Sequence, residues 1–127
     1  MTRLSHAALH AKACADPRAT RIAQLNDRCR QAWGAYRNSR VVMTQGIAGL
    51  DDATRSKVCE AVQTFDAFTY DNDPHGEHDC ATIEINPHVR VIWKFDYYDL
   101  ALEWGSEDPT DPTKTVRVLT IMLASEY

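Results

Sequence analysis

Apolar residues recur along this chain with two different periods, and the switches between them divide it into elements. From Pro17 onward, Ile22, Leu25, Cys29 and Trp33 return at helical spacing while Arg18, Arg21, Arg28 and Arg30 fall largely off that stripe, which predicts an amphipathic helix ending near Gly34. Arg40-Val41-Val42-Met43-Thr44 is a short β-branched run closed by Gly46 and reads as a strand. Asp51 and Asp52 offer an N-cap to a second helix whose apolar face is Val58, Ala61, Val62, Phe65 and Phe68, with a loop beginning at Thr69. Beyond that loop the period drops to two. Ile83 and Ile85 alternate with Thr82, Glu84 and Asn86, Pro87 marks a turn, and Val89, Val91, Trp93 and Phe95 alternate with Arg90, Lys94 and Asp96, the pattern of a hairpin with one buried face. Tyr97, Tyr98 and Asp99 continue or end that strand, and Leu100, Leu102 and Trp104 are read as a short edge before the polar loop from Gly105 to Pro112.

The last segment has two readings. Asp111-Pro112 resembles a helix start, and Val116, Leu119, Met122 and Leu123 fit a helical stripe; Val116, Val118, Thr120 and Ile121 favour a strand instead, so residues 114–125 stay open between the two. Residues 1–16 are Ala-rich, contain His6, His10 and Lys12, and show no strong apolar periodicity, so they are expected to form a flexible N-terminal tail or frayed helix with little function. The expectation is a single α+β domain over residues 17–127, a small antiparallel sheet of three to four strands packed against two to three helices.

Composition narrows the class. A chain of 127 residues with 44% hydrophobic and 25% charged residues buries a core without disulfide or metal staples and is too apolar for disorder. The cysteines at 14, 29, 59 and 80 form no Cys-x-x-Cys pair and follow no signal-like apolar run, which points to reduced thiols in a cytoplasmic protein. The apolar stretches Val89–Trp93 and Val116–Ala124 are too short to cross a bilayer. The net charge of −4 hides an asymmetry, with +5 over residues 1–60 and −9 over residues 61–127. Such a split fits a basic docking face, an acidic site or halves that pair within one fold.

The most unusual stretch is Asp71-Asn72-Asp73-Pro74-His75-Gly76-Glu77-His78-Asp79. It partly mimics a calcium loop, with acids at the first and third places, Gly76 at the sixth and Asp79 at the ninth, but His75 and Thr82 stand where that loop needs an Asp or Asn and a bidentate Glu. His75 and His78 with Glu77 and Asp79 suit zinc or manganese better, although loop histidines are more often structural. Were Asp96 and Asp99 to approach this loop across the sheet, Glu77, His78, Asp79, Asp96 and Asp99 would form a catalytic cluster for a metal-dependent phosphodiesterase or ribonuclease. His78, Asp79 and Asp96 would then hold the metal that activates water. A metal-free version would use His78 as general base and Arg90 or Lys94 to hold a phosphate. Cys80 follows His78 by two residues, so in a strand both would share one face, as a thiol nucleophile and its base must; a small buried hydrophobe is the commoner role. Trp93, Tyr97, Tyr98 and Trp104 place aromatics near alternating charge, as interaction surfaces do, with Tyr97 and Tyr98 as candidate contact residues. Nucleic-acid binding would have to use Arg18, Arg21, Arg28, Arg30, Arg37 and Arg40, because the second half of the chain is acidic.

Three segments carry a resemblance. Asp71-Asn72-Asp73-Pro74-x-Gly76-Glu77-His78-Asp79, Trp93-Lys94-x-Asp96-Tyr97-Tyr98-Asp99 and Arg117-Val118-Leu119-Thr120-Ile121-Met122-Leu123-Ala124 resemble motifs of a small bacterial family catalogued as a domain of unknown function, over roughly Ile22 to the C-terminus. The resemblance implies short cytoplasmic proteins, often carried on plasmids and other mobile elements, without an assigned activity. The chain departs from that pattern at His75, where an aromatic is expected, and at Cys80-Ala81, where Phe-Gly is expected. The leading expectation is an accessory or interaction protein that meets another protein through an acidic surface, and the rival is the metal-dependent phosphodiesterase or ribonuclease. No cofactor is expected on the leading reading, and a divalent metal enters only with the rival.

Overall fold

A computed structural model describes residues 5–127. Helix α1, His6–Cys14, begins at Ser5, whose hydroxyl accepts the Ala8 N–H at 3.1 Å. Of the segment expected to be a loose tail or frayed helix, residues 1–4 lie outside the described residues and His6–Cys14 is a capped helix that buries none of its own residues. Helix α2, Pro17–Ala32, has the Asp16 carboxylate accepting from Arg18 N–H and proline in its first turn, and it ends where Trp33 turns left-handed at φ 52°. Strand β1, Ser39–Met43, follows, then a one-turn helix α3, Gln45–Ala48, that the pattern did not predict. Helix α4, Asp52–Thr64, is capped by Asp51, which accepts from Thr54 N–H. It stops four residues short of the expected end: Phe65 is already extended, and Phe65 and Phe68 reach the core from the loop, edge-on to Trp93 at 5.8 and 6.1 Å between ring centroids.

The hairpin expected around Pro87 is present as β2, Cys80–Asn86, and β3, Val89–Tyr98, with a bulge between Glu84 and Asn86. The undecided C-terminal segment is strand β4, Val116–Leu123, followed by a 3-10 turn over Ala124–Glu126. The Leu100–Trp104 piece is a turn rather than an edge strand, joined to the sheet only by a bridge between Tyr98 and Gly105. Sheet order is β1-β4-β3-β2. It corrects the all-antiparallel expectation, because β1 runs parallel to β4 while β4–β3 and β3–β2 are antiparallel. A parallel pair needs a long crossover, and α3, α4 and the hairpin provide it.

Register fixes which side chains share a face. Val41, Leu119, Phe95, Ile121, Trp93, Ala81 and Val91 stand on one face, and Ile47, Val58, Val62 and Cys29 close over them from the helices. The other face carries Val42, Thr120, Lys94, Asp96 and Cys80. At one end of the helix-covered face a polar network replaces apolar packing. The buried Asn26 amide donates to Glu77 O at 3.0 Å and to the Tyr97 hydroxyl at 2.8 Å, and its oxygen accepts from Arg117 Nε at 2.7 Å. Arg117, itself buried, also donates to Pro109 O and lies 5.0 Å from the Tyr97 ring centroid. One asparagine thus ties α2 to the loop before β2, to β3 and to β4.

Two stability measurements check this account. Leu119 is fully buried between the sheet and the helices, so Leu119→Ala should lower the unfolding free energy by about 2–5 kcal/mol in urea titrations. Asn26→Leu should cost at least about 1–3 kcal/mol, since Arg117 and Tyr97 each lose a buried partner, and Tyr97→Phe should cost less because the Asn26 amide keeps Glu77 O. An Asn26→Leu variant as stable as the wild type would mean that the network is not formed in solution.

Candidate functional site

The acidic loop before β2 is a tightly bonded turn. Asn72 Oδ1 accepts from Thr69 N–H at 2.7 Å, its amide donates to Ala67 O at 2.9 Å, and Asp73 N–H returns to Thr69 O at 2.7 Å. Gly76 has φ 69°, and a Cβ there would lie 2.9 Å from Cys14 N, so glycine is what lets the end of α1 settle on the loop. His78 is also left-handed, at φ 52°; its N–H donates to Asp73 Oδ1 at 3.0 Å, and its ring stacks on Phe68, 3.7 Å between centroids and 3° from parallel.

These turns gather a polar cluster between α1, α2 and the loop. Asp73 is fully buried, and its Oδ2 lies 3.1 Å from His10 Nε2 and 3.7 Å from His78 Nε2. Cys14 Sγ is 3.4 Å from His10 Nε2. On its other side, His78 Nδ1 sits 2.9 and 3.1 Å from the two Asp27 oxygens, and Asp27 accepts from Arg30 Nη2 at 2.9 Å. Burial alone would raise the Asp27 pKa, but hydrogen bonds and charge from His78 and Arg30 outweigh it and hold the carboxyl below its usual range. Burial, and then the Asp73 charge, push the Cys14 thiol up. That is the wrong direction for a free nucleophile. Among the described residues, His10, Cys14 and Asp73 are the trio of His, Cys, Asp or Glu whose ligand atoms all lie within 4.8 Å of one another. A cleft of about 170 Å³ lined by Cys14, Thr20, Asp27, Gly76 and His78 opens beside them.

The catalytic and metal cluster expected from sequence is not assembled. Glu77 is half-buried, with its carboxyl pushed up by burial and by the Asp79 charge, and its main-chain oxygen serves Asn26. Asp79 O accepts from Phe95 N–H, and the residue lines a cleft of about 560 Å³ with Cys80, Lys94 and Tyr127. Asp96 projects from the opposite face of the sheet and pairs with Lys94 Nζ at 2.5 Å. Asp99 lies past the end of β3, where it accepts Glu103 N–H at 3.0 Å. Of the five residues, His78 alone joins the polar cluster, so the metal trio His78, Asp79 and Asp96 is replaced by other partners. Cys80 faces away with Lys94 and does not pair with His78. Tyr97 is turned inward to Asn26 and Arg117, with its phenol pKa raised by burial, while Tyr98 is exposed. Of the arginines considered for nucleic acid, Arg30 is buried in the core and Arg18 pairs with Asp108 at 3.1 Å.

Sequence reasoning missed His10, Cys14, Asp27 and Asp73 as a group and the structural role of Arg30. One signal was available: Asn26 and Arg30 follow Ile22 at helical steps of four, polar residues on what is otherwise the apolar stripe of α2.

A second feature is the turn Tyr98–Gly105. Asp99 N–H donates to Trp104 O at 2.8 Å, Leu102 N–H to Asp99 O at 3.0 Å and Ser106 N–H to Tyr97 O at 3.0 Å, so the backbone is closed on itself. Its apolar side chains nonetheless point outward: Trp104 is 75% exposed and Leu100 57%, and Leu102 adopts φ 59°. Glu103 and Glu107 are exposed around them.

All four cysteines are free, and no helix among the described residues is long and apolar enough to cross a membrane. No curated protein and no solved structure matches the chain. A family model described as "Protein of unknown function (DUF3768)" matches residues 43–126, which takes in α4, the acidic loop and the whole sheet except most of β1, and leaves His10, Cys14 and Asp27 outside the matched range. The chain belongs to this family, the Protein of unknown function (DUF3768) family.

Proposed function

We propose that this protein is a partner-binding domain that docks another protein through the turn Tyr98–Gly105. The observation that carries the proposal is the clustering of exposed apolar side chains. Tyr98, Leu100, Leu102 and Trp104 lie within this one turn, and the other large hydrophobics exposed among the described residues, Val42 and Tyr127, lie elsewhere. Scattered surface hydrophobes are ordinary, whereas a contiguous group containing tryptophan marks an interface anchor.

Strain supports the same reading. A non-glycine residue in the left-handed region costs of order 1 kcal/mol, and Leu102 adopts it with its side chain still 39% exposed. A surface depression lined by Asp99, Leu100, Trp104, Gly105, Glu107 and Lys114 lies beside the indole. The acids around the turn define the partner's chemistry: an apolar recess rimmed by Lys or Arg, which steers association through charge and holds through the indole. The proposal extends to an acidic accessory protein of a mobile element, the class that the motif resemblance implies.

Affinity capture from the source cells with wild type, a Leu100→Ser/Trp104→Ser variant and a Tyr127→Ser control tests the surface. A partner held by wild type and control should lose about 2 kcal/mol or more of binding, roughly 30-fold in Kd, in the double variant, and should bind more weakly at high salt. Equal retention of all captured partners by the double variant would overturn the proposal.

A further inference from the structure

The polar cluster under α1 carries an inference independent of the docking turn. We propose that His10 Nε2, Cys14 Sγ and Asp73 Oδ2 form a three-ligand site for a zinc-class divalent cation that fastens α1 to the acidic loop; one ligand atom from each of the three lies within 4.8 Å of the others. The spacings fit. With bonds of about 2.0–2.3 Å to nitrogen, oxygen and sulfur, the edges of a tetrahedral zinc site run to about 3.3–3.6 Å. The structure gives 3.1 Å from His10 Nε2 to Asp73 Oδ2 and 3.4 Å from His10 Nε2 to Cys14 Sγ, while His78 Nε2, 3.7 Å from Asp73 Oδ2, stands behind the trio. His10 and Cys14 are four apart on α1 and so present their ligand atoms from one face of the helix.

Three further features favour a cation over a self-contained hydrogen-bond network. Asp73 is a fully buried carboxylate whose ion-pair partners among the described residues are two histidines, and a buried carboxylate needs a positive charge beside it. Asp27 accepts from His78 Nδ1 and so holds His78 beside Asp73, whose Oδ1 accepts the His78 N–H at 3.0 Å. A ligating carboxylate is itself hydrogen-bonded in this way in metal sites, and Arg30 in turn fixes Asp27. Finally, α1 buries none of its residues, so apolar packing does not account for its position. The donor set of one sulfur, one nitrogen and one oxygen selects a borderline ion such as Zn²⁺ or Co²⁺ over Mg²⁺ or Ca²⁺. Three protein ligands leave the fourth position of a tetrahedral ion to water.

Cobalt titration of metal-stripped, reduced full-length protein tests the site. One equivalent of Co²⁺ should produce the visible ligand-field bands of a tetrahedral ion together with a thiolate-to-cobalt charge-transfer band, and Zn²⁺ should displace it. Cys14→Ser should abolish the charge-transfer band, while Cys80→Ser and the Leu100→Ser/Trp104→Ser variant should keep it, which separates this proposal from the docking turn. Asp27→Asn, a positioning change, should weaken cobalt affinity about 10–100-fold while preserving the shape of the bands. Hydrogen exchange offers a readout independent of any ligand variant: amides of α1 should gain protection when Zn²⁺ is added. Absence of stoichiometric cobalt bands, or bands that survive Cys14→Ser in full, would overturn the proposal, as would α1 protection unchanged by zinc.

Discussion

A single buried guanidinium joins the three layers on which the rest of the molecule is arranged. Arg30, 2% exposed, leaves α2 and donates from Nη1 to Val62 O at 2.7 Å and to Phe65 O at 3.0 Å, meeting carbonyls at the end of α4 that the helix itself cannot satisfy. The group lies 4.7 Å from the centroid of the Trp93 ring and 5.5 Å from that of Phe68, so its charge is shared with two aromatic faces of the core. Its remaining strong bond goes to Asp27. Arg30 Nε and Trp93 Nε1 are left without acceptors, a desolvation cost of about 1–3 kcal/mol for each that the other contacts must offset. The planar fork explains why arginine stands here: a lysine ammonium cannot serve two carbonyls and a carboxylate while lying flat on an indole. Through Asp27 the same group orients His78, so the core and the polar cluster share one anchor.

Legibility from sequence followed how cleanly each element sorts water from core. The hairpin was readable because β3 buries one face and wets the other, and α4 announced its start through Asp51. Strand β4 was ambiguous for a physical reason. Flanked by β1 and β3, it is apolar on both faces, with Val116 and Met122 buried as well as Leu119 and Ile121, and a run apolar on both sides has no period. Helix α1 was opaque for the opposite reason, since a helix held to the loop through His10 and Asp73, with none of its own residues buried, leaves no stripe to detect.

The candidate site divides along similar lines. His78 and Asp73 stood in a conspicuous loop, but their partner Asp27 lies on another element far upstream, and only packing brings it near. The misplacement of Asp96 could have been avoided. Alternation in β3 puts Phe95 and Trp93 in the core, so Asp96 between Phe95 and Tyr97 must face the other way. Charge partition was equally informative in hindsight: the surplus of positive charge in the first half is partly consumed within the fold, by Arg30 in the core and by Arg18 against Asp108, whereas acids of the second half remain around the exposed turn.

The position of β4 in the sheet also governs when the molecule can be assembled. Strand β1 is made early and the β2–β3 hairpin next, yet neither touches the other in the finished sheet; both wait for a strand that is synthesised after them and slots between them. On the ribosome, the hairpin can close alone, but β1 has only its own short segment until residues 116–123 emerge, and its pairing spans nearly the whole intervening chain. Assembly is therefore a late, non-local event, and during synthesis the edges of β1 and β3 that will flank β4 are open to chance pairing with other chains.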